Sequence, residues 1–247
     1  MRIFGAALVA ALLPITASAA TTMTGSPQRH LVYTFTYGVS TDKQIHSSGM
    51  GATMGDGSGN PSGMTDYTGG SSDKGSIVVD VVREQPDSGL VVVVSEQGQD
   101  TRKAPPSTCV VFGDTTTICD PNQKVTAEEL TLLRFLGAHF VDPNNLDAKG
   151  HWHVERDGQT STIADYTLSK NNNGAMVIDE VRVEKENSAK PYTANINSTI
   201  GYDFNRSIPT SVTEYSIQRS EQGEQYNTVK SETTLSLQSD SMATAKD

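Results

Sequence analysis

Cationic side chains are scarce in this chain. Lysine and arginine number 19 against 29 aspartates and glutamates among 247 residues. An acidic chain is repelled by phosphate backbones and by anionic lipid headgroups, and no basic stripe interleaved with aromatics offsets that repulsion. The composition therefore argues against nucleic acid as a partner. Long apolar runs are missing too. Beyond the first 20 residues, none approaches the roughly 20 needed to cross a bilayer as a helix. No internal repeat is visible. Catalytic signatures are absent as well: there is no G-x-S-x-G elbow, no H-E-x-x-H and no glycine loop that would cradle phosphate at a helix start. No enzyme class is indicated by motif.

Cysteine is nearly absent. Cys109 and Cys119 flank Val110-Val111-Phe112, Gly113-Asp114-Thr115 and Thr116-Thr117-Ile118, which reads as a hairpin with the two thiols facing each other across its base. The spacing is too wide for a redox pair at a helix N-terminus, so a structural disulfide is expected. That expectation agrees with the first residues. Arg2, an apolar run from Ile3 to Ile15 and the small-residue box Ala17-Ser18-Ala19 have the layout of a secretory signal peptide over residues 1–19. Ala20 rather than cysteine follows the expected cut, which gives no support for a lipid anchor. Removal of Arg2 with the leader leaves 18 basic against 29 acidic residues, a net of −11, in a chain placed in the periplasm or outside the cell.

What the sequence has in abundance is alternation. Tyr33, Phe35 and Tyr37 share a side in Leu31–Ser40, while Ile77–Val82 and Leu90–Val94 are β-branched throughout and read as strands covered on both faces. From His151 onward the pattern is a meander. Ala164, Tyr166 and Leu168 alternate with polar residues, Val177, Val181 and Val183 share one face, and Tyr192, Ala194, Ile196, Ile200 and Tyr202 alternate over eleven residues. One helix interrupts the strands. Thr126 and Glu129 form a capping box ahead of Leu130, Leu132, Leu133, Phe135 and Leu136, with Gly137 as the stop. The expected fold is all-β: a large antiparallel curved sheet, half-barrel or barrel of about 11–12 strands with one packed helix over about 126–137. A single domain over 20–238 is expected, with a flexible Gly/Ser-rich segment at 47–76 and a disordered tail at 239–247.

Several constellations could carry chemistry. His151 and His153, two apart on a strand, project side by side, and His139 or Asp142 could complete a zinc site. The competing reading buries Trp152 and leaves both imidazoles wet. His46 with Met50, Met54 and Met64 suits copper(I) by ligand softness, although the surrounding glycines oppose the helix that would align them. Asp56, Ser58, Asn60 and Asp66 echo a calcium loop, as do Asp142, Asn144, Asn145 and Asp147. The first holds Pro61 where such a loop needs glycine, and these residue types also build ordinary turns. Asn197-Ser198-Thr199 and Asn205-Arg206-Ser207 match glycosylation sequons.

By strand number, single helix and export, the chain resembles periplasmic lipid-carrier folds, in which a curved sheet shelters an acyl chain beneath a helical lid. The resemblance implies a non-catalytic envelope protein that holds an apolar ligand such as a lipid. The ligand-facing set would be Tyr33, Phe35, Tyr192, Ile196, Ile200 and Tyr202, which would otherwise be ordinary core. Two rival readings are a metal-dependent hydrolase built on His139, His151 and His153, and a structural or adhesive surface protein without a small ligand.

Overall fold

The computed structural model describes residues 28–46, 64–85, 89–99, 105–112, 116–137, 140–141, 146–172, 174–188, 191–222 and 225–242. The expected leader, the Gly/Ser residues 47–63 and the last five residues lie outside that set.

One antiparallel sheet of eleven strands, curved but not closed into a barrel, makes up almost the whole fold. The first half is a run of neighbours: β1 (Arg29–His46), β2 (Met64–Glu84), β3 (Leu90–Gly98), β4 (Ser107–Val111) and β5 (Thr117–Cys119). The second half is another: β6 (His151–Arg156), β7 (Thr160–Asn172), β8 (Ala175–Glu186), β9 (Tyr192–Asp203), β10 (Ile208–Gln222) and β11 (Gln225–Met242). The halves join where β1 pairs with β11, so the sheet order is β5-β4-β3-β2-β1-β11-β10-β9-β8-β7-β6. Residues 64–76, within the Gly/Ser-rich stretch, are strand, held in register from Met64 opposite His46 to Ser76 opposite Thr34. Likewise β11 runs on through Ser239–Met242, the start of the expected tail, because Arg29 grips Asp240 with two hydrogen bonds of 2.8 Å and Arg206 adds a third.

This order has a topological consequence. The two edge strands β5 and β6 are consecutive in sequence, so the chain between them must cross one face of the sheet to pass from edge to edge. That crossing carries α1 (Ala127–Leu133), the one helix among the described residues, and packs it on the sheet. The capping box is formed: the Thr126 hydroxyl accepts from the Glu129 amide, and the Glu129 carboxylate accepts from the Thr126 amide. The helix ends earlier than the expected boundary near residue 137. After Leu133 the backbone tightens into i→i+3 bonds, Phe135 to Leu132 and Leu136 to Leu133, before Gly137 turns it at a φ of 106° that a side chain would resist.

The core lies between crossing and sheet. Leu132, Leu133, Phe135, Leu136, Phe140 and Val141 from the crossing pack on Leu31, Tyr33, Phe35, Ile77, Val79, Val92, Val94, Ile178, Ile200, Val212 and Leu235. Phe140 is its aromatic hub, edge-on to Phe135, Trp152, Tyr166 and Tyr202 with centroids 5.1–6.1 Å away, while Trp152 stacks on Tyr166 at 4.8 Å. At the other edge, Cys109 and Cys119 pair across β4 and β5 and form the expected disulfide. It closes a ring of sequence separation 10 on a three-residue edge strand. Replacing both cysteines with alanine should cost about 2–3 kcal/mol in a urea melt. No helix among the described residues is long and apolar enough to cross a membrane.

Candidate functional site

The inner face of the sheet changes character row by row along the strands. The register places Phe35, Leu235, Val212, Ile200, Ile178 and Leu168 in one apolar row beneath the crossing. One step along, the row reads Tyr37, Thr233, Glu214, Ser198, Glu180, Tyr166 and Trp152, and the next reads Val39, Ser231, Ser216, Ile196, Arg182, Ala164 and Val154. The crossing covers the first row and pins itself to the second. Beyond it the inner face lies open as a groove of about 600 Å³, bounded by Leu130 and Arg134 of the crossing and floored by Ile196, Ala194, Val229 and Arg182.

The pins are ionic and buried. Arg134 bridges Glu180 on β8 at 3.2 Å and Glu214 on β10 more closely still. The Ser198 hydroxyl lies between the two carboxylates, 2.6 Å from Glu180 and 3.3 Å from Glu214. Tyr166 donates to Glu180 at 3.0 Å and Thr131 to Glu214 at 3.2 Å. Burial alone would raise the Glu214 carboxyl, but Arg134 and Arg182 outweigh it and hold the group below the ordinary range. Burial works likewise against the Arg134 cation, and the two carboxylates reverse it, keeping the guanidinium charged. Tyr166 is pushed up by burial and by Glu180, so it serves as a donor.

The other end of the helix is pinned through carboxylates. The Thr126 hydroxyl lies 2.6 Å from Glu96 of β3. Burial, reinforced by the like charges of Glu128, Glu129 and Asp73, pushes Glu96 up to about 7 against the hydrogen bond from Thr126. A folded-state value above the unfolded one means that the folded protein holds this proton longer. Stability is therefore lost as pH rises from about 4.5 towards 7 and stays lost above it. Glu96→Gln should raise the melting temperature at pH 8 and leave it nearly unchanged at pH 4. The gain should be about 1 kcal/mol, well below the full shift because the group is half-exposed. Thermal melts across pH check this.

The six candidate ligand-facing residues separate into two groups. Tyr33, Phe35, Ile200 and Tyr202 lie in the core under the crossing, where the hydroxyls of Tyr33 and Tyr202 donate to the carbonyls of Pro209 and Gly137 at 2.9 and 2.7 Å. Tyr192 and Ile196 line the groove. The charged residues Arg134, Glu180, Arg182 and Glu214 carry most of the site's polar structure and belong to no sequence motif. Their one signal is charge at inward positions of the alternation, beside Ile178 and Val212.

The metal candidates lie elsewhere. His151 and His153 share the outer face of β6, both exposed, with Trp152 buried between them at 7% exposure. His153 Nδ1 is 2.7 Å from Asp165, and His151 Nδ1 is 3.3 Å from the Thr167 hydroxyl. His139 lies outside the described residues. Among the described residues, no group of three or more His, Cys, Asp or Glu is placed to hold a metal ion. Of the calcium candidates, Asp147 caps a turn by accepting from the amides of Lys149 and His151 at 2.7 and 2.9 Å. Asp142, Asn144, Asn145, Asp56, Ser58 and Asn60 lie outside the described residues, as do Met50 and Met54. His46, Met64 and Asp66 fall on the strands β1 and β2.

No family model matches this chain, and no curated protein matches it. A solved structure of lipovitellin, concerned with its lipid–protein interactions, aligns with 90% of this chain at 13% identity and a TM-score of 0.47. The chain spans 26% of that one's length. A likeness this distant fixes neither family nor ligand. What the geometry defines is a class of architecture: an open curved sheet, clasped across part of its inner face by one helix, with a groove left beside it.

Proposed function

We propose that this protein is a non-catalytic carrier, exported to the periplasm or the exterior, that holds a lipid-like ligand in the groove beside α1. The observation that carries the reading is Leu130. It is a helix residue 45% exposed on the groove wall, facing a floor that includes Ala194, Ile196 and Val229. Ala194 and Ile196 are themselves nearly buried, so the exposed apolar surface is Leu130 with the half-buried Val229, set among a mostly polar lining. A chain-like ligand would cover it, and about 600 Å³ falls within the usual range for small-molecule sites. The disulfide fits an oxidising compartment. Tyr192 and Ile196 would face the ligand, while Tyr33, Phe35, Ile200 and Tyr202 support it from the core.

Native mass spectrometry of the exported protein, compared with the same sample denatured, tests this. An additional mass of lipid size, lost on denaturation, is the expected result. Protein that arrives bare and takes up no lipid from added phospholipid vesicles would favour a structural surface role instead.

A further inference from the structure

Two guanidinium groups border the groove, Arg182 buried and Arg134 nearly so, and each has one enclosed donor without an acceptor. Arg182 reaches the inner face from β8 and is 7% exposed. Its Nη1 lies 3.1 Å from Glu184, but its Nε has no hydrogen-bond acceptor, since the nearest carboxylate oxygen, on Glu180, is 3.8 Å away. Arg134 spends Nη2 on Glu180 and Glu214 and likewise leaves Nε without an acceptor. A buried donor on a charged group without an acceptor is costly. The carboxylates that could relieve it are already committed. Glu214 accepts from Thr131 and Arg134, and Glu180 accepts from Tyr166, from Arg134 and from Ser198, whose one hydroxyl proton goes to the nearer carboxylate. Among the described residues the half-buried Glu184, itself on the groove lining, makes the closest ion pair to Arg182.

We infer that the groove ligand carries an anionic head, a carboxylate or a phosphate monoester, that Arg182 and Arg134 receive at the groove floor. This deepens the carrier reading and rests on it. The register supports the pairing of head and chain. On the adjacent strand β9, Ile196 stands directly opposite Arg182 and Ala194 opposite Glu184, so a head seated at Arg182 sets its chain onto the apolar patch about 4.8 Å away. Glu184 occupies the place of the head when the groove is empty and gives way to it. An alcohol or ester head offers these donors only neutral acceptors, which make weaker bonds to a guanidinium than an anion does.

The test is calorimetric titration of the full mature protein with palmitate, with its neutral counterpart hexadecanol and with inorganic phosphate. Palmitate should bind about tenfold more tightly than hexadecanol, the size of one charge-assisted hydrogen bond, and phosphate alone should bind far more weakly than either. Glu184→Gln removes the competing carboxylate and should tighten palmitate about threefold or more without changing hexadecanol. Arg182→Lys should erase the preference for palmitate. If that variant does not fold, Glu184→Gln decides alone. Equal binding of palmitate and hexadecanol would overturn the anionic head while leaving the lipid groove standing. Failure of both to bind would overturn both readings. Phosphate binding as tightly as palmitate would overturn the assignment of the arginines to a lipid head.

Discussion

Arg134→Met should destabilise the protein by about 3–5 kcal/mol, the largest loss expected from any single side chain at the groove. The reason is the charge left behind. Glu180 and Glu214 are both buried, and Arg134 is the cation that bridges them from the helix. Without it, two carboxylates share a dry pocket with Arg182, whose closest approach to Glu180 is 3.8 Å. The loss should depend on pH with a definite sign. In the variant, burial raises the folded-state carboxyl values above their unfolded ones, so the folded protein binds more protons and stability falls as pH rises through the acid-to-neutral range. Chemical denaturation should therefore show a smaller penalty at pH 4 than at pH 8. The double variant Arg134→Met with Glu214→Gln removes one charge of each sign and leaves Arg182 with Glu180 and Glu184. It should recover more than half of the loss, and a double-mutant cycle measures that coupling.

Phe140→Ala should cost a similar amount, about 3–5 kcal/mol, through a cavity rather than a charge. Phe140 is buried, and its ring meets four others: Phe135 from the crossing, Trp152 and Tyr166 at the sheet edge, and Tyr202 on β9. Those neighbours belong to three separate strands and the end of the helix, so no single shift closes the space. Phe140→Leu, which keeps most of the volume, should cost less than about 1.5 kcal/mol. Urea melts of the two variants separate the volume effect from the aromatic one.

Alternation in the sequence expresses some parts of this fold and not others. Period two identifies strands, and the antiparallel meander from His151 to Leu237 follows from it. The capping box at Thr126 and Glu129 and the disulfide are short-range features, which residues nearby in sequence suffice to specify. Alternation also shows which residues share a face, but not which face turns inward. Val177, Val181 and Val183 do share one, and it is the outer one, with Val181 57% exposed. The inner face of β8 carries Ile178, Glu180 and Arg182 instead. Glu180 holds an inward position because Arg134 of the crossing pairs with it, which β8 alone does not announce, while Arg182 is held by Glu184 and Glu180 of its own strand. The same gap explains the ligand-facing set. Tyr33, Phe35, Ile200 and Tyr202 share the inner face with Tyr192 and Ile196, and the route of the chain between β5 and β6 decides which of them it covers.

A groove beside α1 that receives the chain of a lipid should lose its ligand when its floor is filled. The most direct measurement is binding of a fluorescent fatty acid to Ala194→Trp, which projects an indole from the groove floor between Ile196 and Tyr192 and leaves the pins of Arg134 in place. The variant should keep its folded circular-dichroism spectrum and lose at least about tenfold in affinity. A folded Ala194→Trp protein that binds the probe as tightly as the unaltered chain would contradict a lipid chain in this groove.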